Sequence, residues 1–231
     1  HMGRLRFTGG GAETLLNMVL TRDVPSLRNG RARYGFLCNE NGGIIDDVVV
    51  SRIGEHEFSL VCNAGNRIRV FSWLKEWAAG VGDVEMEDLT HHTGMIAIQG
   101  PSAAGTILQA LSIDLGHMGK FRVQEFVYAG KLVTLSRTGY TGEDGFEVIC
   151  DGADAPQIWR ALLEGGAIPA GLGSRDNLRL VAALPLHGSD INESTDPLEA
   201  GLARFVDFDK EAFIGKRALV LIKELGSERK F

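Results

Sequence analysis

Apolar positions along the chain recur in two rhythms, one of period near 3.6 and one of period 2, and the succession of rhythms itself repeats. From Ala12 to Leu20 the residues Leu15, Leu16, Val19 and Leu20 fall on one side of a helix. From Ile68 to Ala79, Trp73 and Trp77 lie about one turn apart, the spacing of core contacts on a second helix. Extended runs are predicted at Arg4 to Phe7, Tyr34 to Cys38, Ile44 to Ile53, Phe58 to Cys62 and Val84 to Met86. The turn Asn39-Glu40-Asn41-Gly42-Gly43 joins two of them, its Asn-Gly pair being a strong hairpin signal. The order to this point is β-α-β-β-β-α-β. It begins again at Met95, with a strand from Met95 to Ile98 and a helix from Pro101, a residue that suits the first helical position. Strands at Phe121 to Tyr128, Lys131 to Leu135 and Phe146 to Ile149 follow, then a helix around Ala155 to Leu163.

Two halves with one element order predict an α+β chain of duplicated, ferredoxin-like β-α-β-β-α-β units. Residues 1–90 form the first unit, and residues 91–231 the second with a helical extension. In that extension Ser174 is expected to cap a helix ending at Ala183, and Phe213 to Leu225 to form another, with the loop-rich NESTDPLEAG segment between them.

With 231 residues the chain can bury a sizeable core. Its net charge of −6 and the absence of a Lys/Arg block interleaved with aromatics argue against a general nucleic-acid surface. No apolar run reaches the length that spans a bilayer, and HMGRLRF lacks the regions of a signal peptide, so a cytoplasmic or organelle-matrix protein is expected. Cys38, Cys62 and Cys150 are odd in number, strand-like in context and without CxxC spacing, which favours buried free thiols over a disulfide framework or a zinc site.

Chemistry concentrates in TLSRTGYTGEDGFEVIC, Thr134 to Cys150. Two apolar runs flank a polar tip in which Gly139, Gly142 and Gly145 occur within seven positions, a loop shaped by close approach or unusual backbone angles. Glu147 alternates with Phe146 and Val148 and so points away from the face they bury, either onto a solvated strand face or into a site. Asp46 and Asp47 lead into Val48-Val49-Val50, so one carboxylate shares the face of Val49; an edge charge and a working carboxylate are both open readings. Arg175 and Arg179, a turn apart beside Asp176, fit a salt-bridged face or an anion or ring clamp equally. His91 and His92 alternate faces and do not favour a metal site, and Gly171 and Gly173 lack the third glycine of a dinucleotide fingerprint.

The strings YGFLCNENGGIIDDVVV, LVCNAGN, SRTGYTGEDGFEV, PAGLGSRDNLRL and FIGKRAL resemble the aminomethyltransferase family, the T-protein of the glycine cleavage system. The likeness runs over essentially the whole chain, and RTGYTGEDGFE is highly specific. It implies an α+β fold of duplicated ferredoxin-like parts with a further C-terminal β domain. It also implies an enzyme that takes an aminomethyl group from the lipoyl arm of the H-protein and joins it to tetrahydrofolate, giving 5,10-methylenetetrahydrofolate and ammonia. By resemblance Asp47 is the acidic residue that positions N5 and helps the amine depart. Met2, Tyr34, Val49, Asn63, Phe121, Tyr140, Glu147 and Arg175 are expected to line the folate pocket, with Phe121 where a relative has tyrosine. A carboxylate such as Glu147 suits the adjacent N–H and amino groups of a pterin, and Arg175 can donate to the carbonyl side or stack on the ring.

Departures from the family occur at Val181, where a glutamate is usual, and at His187, where a tyrosine is usual; both put the polar contacts of that region in question. Family chains extend beyond both His1 and Phe231, and Glu228-Arg229-Lys230-Phe231 falls where relatives enter a strand of a further domain, so the chain is expected to be a poor catalyst by itself. Two other readings remain beside the transferase: a folate-binding module like those of methylglycine oxidases or iron–sulfur assembly factors, and an inactive fragment. The localisation implied is the cytoplasm of a bacterium, or the mitochondrial matrix in a eukaryote.

Overall fold

The computed structural model describes residues 1–226, so Glu228 to Phe231, and the strand entry expected there, lie outside the described residues. The chain divides into two compact units, residues 1–89 with 186–231, and residues 90–185.

In the first unit β1 (Gly3–Thr8), α1 (Ala12–Val19), β2 (Arg31–Cys38), β3 (Ile44–Gly54), β4 (Glu57–Cys62), α2 (Arg67–Ala78) and β5 (Glu85–Asp88) succeed one another. They form an antiparallel sheet of order β2-β3-β4-β1-β5. Without β2 this is the split arrangement of a ferredoxin-like unit, in which β1 lies between β4 and β5; β2 is one extra strand on the β3 edge. Leu15, Leu16 and Val19 of α1 and Val70, Trp73 and Leu74 of α2 bury against Leu5, Phe7, Val48, Val50, Phe58 and Leu60 on one face of the sheet. Truncating a fully buried ring such as Phe7 or Phe58 to alanine is worth about 3–5 kcal/mol.

The opposite face of β2 and β3 is buried as well. Phe36, Cys38 and Ile44 pack with Ile191, Leu202, Val206, Phe213 and Leu219, which explains why Phe36-Leu37-Cys38 and Ile44-Ile45 read as unbroken apolar runs. Here the structure corrects the expected division, for residues from Leu186 onward belong to the first unit rather than to an extension of the second. The reason is a set of polar ties as well as this second core. Lys210 Nζ donates to the carbonyls of Leu20 at 2.6 Å and Arg22 at 3.0 Å, and also to that of Asn17, so it satisfies the C-terminal end of α1. Thr21 Oγ1 donates to the Phe205 carbonyl at 3.0 Å, and Asp207 accepts the Asp23 N–H at 2.8 Å.

The second unit holds β6 (Thr93–Gln99), α3 (Ala103–Leu111), β7 (Val123–Tyr128), β8 (Lys131–Ser136), β9 (Gly145–Asp151), α4 (Ala155–Glu164) and α5 (Leu172–Val181). Its sheet order, β6-β9-β8-β7, matches strand for strand the order β1-β4-β3-β2 of the first unit, with no counterpart of β5 among the described residues. Helices cover one face: Ile107 and Leu111 of α3 and Ile158 and Leu162 of α4 pack on Ile96, Ile98, Val133, Leu135, Phe146, Val148 and Cys150. All three cysteines are buried free thiols.

Several expected boundaries shift. Phe121 precedes its strand and takes a left-handed conformation at φ 56°, so β7 starts at Val123. α3 begins at Ala103, leaving Pro101 in the turn before it, and α5 begins at Leu172 after Gly171, with Ser174 inside the helix rather than capping it. The last helix, α6 (Lys216–Leu225), starts after Gly215, whose φ of 87° breaks the path from Phe213.

Candidate functional site

In the first unit a β-bulge sets up two carboxylates. Leu37 pairs with Asp46 but Cys38 pairs with Ile44, so Ile45 is the extra residue on β3. Ile45 and Asp46 therefore both lie on the face of Val48 and Val50, while Asp47 and Val49 take the other. Asp46 is 0% exposed, and Asp47 is half-buried. The β3–β4 register pairs Val49 with Val61 and, continued past Cys62, brings Asn63 opposite Asp47. Asn63 uses that place fully. Its Nδ2 donates to Asp47 Oδ1 at 2.7 Å and Asp46 Oδ1 at 2.9 Å, and its backbone N–H donates to Asp46 Oδ2 at 3.0 Å. Tyr34, the diagonal cross-strand neighbour on β2, donates its hydroxyl to Asp47 Oδ2 at 3.0 Å, and its ring packs edge-on against Phe205 at 4.8 Å.

Burial, and then the charge of Asp47, raise the Asp46 carboxyl to about 6; burial also raises Asp47, against the pull of its bonds from Tyr34 and Asn63. Carboxyls tuned in this direction accept and return protons closer to neutrality than free ones do. His187 stands beside them, with Nε2 3.3 Å from the Ile44 carbonyl and Nδ1 3.9 Å from Asp46 Oδ1. Met2, one step beyond the Gly3–Cys62 pair of the β1–β4 register, comes opposite Asn63, and its carbonyl accepts from Arg4 Nη1 at 2.7 Å.

In the second unit the site residues hang on β9 and the loop before it. Glu147 lies between Ala97 of β6 and Ser136 of β8, two small neighbours that leave the carboxylate room on the face away from the core. It accepts a hydrogen bond from Thr138 Oγ1, which lies 2.7 Å from Ser136 Oγ. Burial raises its pKa, opposed by the Thr138 bond and the charge of Arg175. Arg175 stacks over the Tyr140 ring at 4.6 Å from its centroid, and Tyr140 donates its hydroxyl to the Pro185 carbonyl. Arg179, 6% exposed, does something else: its Nε pairs with Asp176 at 2.8 Å inside the helix. Of the two arginines, Arg175 thus lies over a tyrosine ring and Arg179 forms an ion pair with Asp176 of its own helix.

The loop glycines are explained by Gln99. A Cβ on Gly139 would come 1.8 Å from Gln99 Oε1, and one on Gly145 would come 2.6 Å from its Nε2. Through that gap Gln99 Nε2 donates to the carbonyls of Thr138 and Phe146, each at 3.2 Å. Gly142 instead needs its φ of 77°. Arg137 clamps the loop base with a two-pronged pair to Asp144, Nε to Oδ1 at 2.9 Å and Nη2 to Oδ2 at 2.6 Å.

Of the expected residues, Asp47, Tyr34, Asn63 and Val49 are brought together in the first unit with Met2 at their edge, and Glu147, Tyr140 and Arg175 are brought together in the second. Phe121 is in the turn before β7 with 43% of its surface exposed, and its N–H donates to the Arg137 carbonyl at 3.0 Å. Thr138 and Gln99 were not singled out from sequence, and Asp46 and His187, each noted there, were not linked to one another. A doubled aspartate in an apolar strand was a signal for Asp46, but no spacing links it to His187, which is 141 positions away (187 − 46).

The model of the GCVT N-terminal domain matches residues 1–210. The chain is 43% identical over its whole length to an aminomethyltransferase of Geobacillus thermodenitrificans and 44% identical to one of Rubrobacter xylanophilus. It covers 64% and 62% of those proteins, so it spans somewhat less than two thirds of the relatives it matches. The glycine cleavage system aminomethyltransferase T of Bartonella henselae superimposes with a TM-score of 0.90 at 33% identity, over 98% of this chain and 62% of that one. A heterotetrameric sarcosine oxidase from Corynebacterium sp. U-96 shares the fold alone, with a TM-score of 0.50 at 17% identity over 74% of this chain and 84% of its own. Doubled antiparallel sheets, the doubled aspartate on β3 and the glycine-rich loop before Glu147 thus sit in a chain that belongs to the GCVT N-terminal domain family.

Proposed function

We propose that this chain forms the folate-binding part of a glycine-cleavage aminomethyltransferase. The reaction passes the aminomethyl group from the lipoyl arm of an H-protein to tetrahydrofolate, a co-substrate, and yields 5,10-methylenetetrahydrofolate and ammonia. The observation that carries the reading is Asp47, a carboxylate fixed through both oxygens by Tyr34 and Asn63, on the half-buried face of a strand, in a chain that matches aminomethyltransferases along its whole length. A carboxylate so oriented needs no reorganisation to face a positive or protonated amine, which is the condition for electrostatic stabilisation of its departure.

The donor and acceptor set fits a reduced folate. Glu147 offers acceptors to the N–H and amino groups of a pterin, its small neighbours admit a flat ring, and Arg175 stacked on Tyr140 offers a donor and a planar cation. Met2, Val49 and Phe121 supply apolar contact. In this reading the residues of the chain bind and orient the folate, and Asp47 positions N5 and takes part in proton movement at the leaving nitrogen. The kinship with bacterial enzymes points to the cytoplasm, and no helix among the described residues is long and apolar enough to cross a membrane.

A graft tests the proposal. Replacing the matching segment of the Geobacillus thermodenitrificans aminomethyltransferase with this chain should give a protein that releases ammonia from aminomethylated H-protein only when tetrahydrofolate is present. The isolated chain should be slower per molecule. A graft that folds and binds tetrahydrofolate but releases no ammonia contradicts the transferase reading and favours a folate-binding module.

A further inference from the structure

We infer that Thr138 is a positioning residue for Glu147: its hydroxyl, itself held by Ser136, fixes the carboxylate through Oε2 and leaves the remaining acceptor sites to a ligand's N–H groups. A threonine hydroxyl has one hydrogen to give and two lone pairs to accept with. Thr138 Oγ1 gives its hydrogen to Glu147 Oε2, so in its other contact, 2.7 Å to Ser136 Oγ, Ser136 is the donor. Two hydroxyls therefore point one way, from Ser136 to Thr138 to Glu147, and end on a carboxylate, where each bond strengthens the next. Among the described residues Glu147 Oε1 accepts no hydrogen bond, and Oε2 retains a second lone pair.

The fold holds both hydroxyls in place. Ser136, the last residue of β8, is the cross-strand partner of Glu147 on β9, and Thr138 follows two residues on, the spacing that keeps side chains on one side of an extended chain. Thr138 is buried although it lies past the strand end, and its backbone is tied on both sides. The Arg137 N–H donates to the Arg122 carbonyl at 2.9 Å, and Gln99 Nε2 donates to the carbonyls of Thr138 and Phe146 at 3.2 Å. The terminal torsion of a glutamate is broad and roughly two-fold, so only a bond of this kind sets the plane of the carboxylate. With the plane already set, a ligand has less ordering to impose.

The same bond bears on the charge of Glu147. Burial raises its pKa, and the Thr138 bond and then the charge of Arg175 oppose that rise. Of the other charged groups on the loop, Arg137 and Asp144 are paired with each other at 2.6 Å and Glu143 is exposed. An ionised Glu147 only accepts, which is what adjacent N–H and amino groups require. That the ligand is a reduced folate rests on the function proposed above, whereas the hold on Glu147 rests on the geometry of the second unit.

Carbon-13 resonance of the Glu147 carboxyl, followed through pH in wild type, Thr138→Val and Thr138→Ser, tests the inference without any ligand. Valine keeps the shape of threonine and removes the hydroxyl; serine keeps the hydroxyl. The titration should move to higher pH in Thr138→Val, because a bond to the charged form is lost, and stay near that of wild type in Thr138→Ser. Thr138→Ala, which puts no new methyl group beside the carboxylate, gives the same reading should the valine variant fail to fold. An unmoved or lowered titration without the hydroxyl, or a serine variant that behaves like the valine one, overturns the inference. As a second readout, calorimetry at neutral pH should show tetrahydrofolate bound about two- to tenfold more weakly by Thr138→Val, the cost of ordering one side chain, with serine restoring the affinity. Equal affinity in wild type and Thr138→Val also overturns the inference and leaves the proposed function standing. If tetrahydrofolate binds to none of the proteins, the proposed function fails, and the titration alone decides whether Thr138 holds Glu147.

Discussion

Asn63 Nδ2 lies 2.7 Å from Asp47 Oδ1 and, with its other hydrogen, 2.9 Å from Asp46 Oδ1, so one side-chain amide ties two adjacent carboxylates. Removing it leaves both acceptors without that partner at a buried place. Asn63→Ala should cost roughly 2–3 kcal/mol of stability, since unsatisfied buried acceptors are expensive. Denaturant unfolding should show a lower midpoint with an unchanged slope; an unshifted midpoint would mean that water replaces the amide freely.

Asp46 gives the fold a definite pH dependence. Its carboxyl is raised from 3.8 to about 6, chiefly by burial, so the folded state holds a proton that the unfolded state has released. The stability from this group is complete below about 3.8 and is lost as pH rises through about 6. Asp144, lowered by its bond from Arg137, acts with the opposite sign and loses its contribution as pH falls. Comparing wild type with Asp46→Asn isolates the first effect: between these two pH values the variant should lose stability less steeply. Parallel curves would show that Asp46 titrates alike in both states.

The loop before Glu147 depends on a contact between residues far apart in sequence. Gly139→Ala places a methyl group on Gln99, so it should expel the amide from its bonds to Thr138 and Phe146 and cost about 1–3 kcal/mol. In a Gln99→Ala background the same change should cost less than half as much. A double-mutant cycle measures this coupling, and additive costs would assign the need for glycine to backbone conformation instead.

Asp47→Asn keeps the shape and the Tyr34 bond but removes the charge. In the Geobacillus graft it should lower kcat by a factor of 100 or more, on the order of what a positioned acid–base group contributes, with a change in tetrahydrofolate affinity of less than about tenfold. Poor binding with normal turnover at saturation would make Asp47 an anchor and move the chemistry elsewhere.

Much of this was legible in the chain because period-2 and period-3.6 patterns report one-sided burial, and the second unit is buried on one side of its sheet. Phe146, Glu147 and Val148 alternate as their pattern predicts. In the first unit β2 and β3 are covered on both faces, so the run from Phe36 to Cys38 said nothing about what lies on either side, and the covering segment around Phe213 was assigned to the wrong unit. Within each unit, residues named through the family motifs lie near one another, as Asp47 does to Asn63 and Tyr140 to Arg175. Asp46 needed the Ile45 bulge and His187 a contact across the fold, and neither is a property of a short stretch. The expected cap at Ser174 failed because Gly171, three residues earlier, already adopts the extended conformation that starts the helix.

The central claim, that the chain receives a reduced folate at Glu147, is tested most directly by calorimetric titration of tetrahydrofolate into the chain and two variants. Glu147→Gln exchanges an acceptor for a donor opposite the pterin N–H groups and should weaken binding by roughly 1.5–3 kcal/mol for each charged bond lost. Glu143→Gln, an exposed change in the same loop, should bind as wild type does. Saturable heat from wild type and Glu143→Gln, much reduced in Glu147→Gln, is the predicted result. Equal affinity in all three, or no binding to the wild-type chain, would contradict the account.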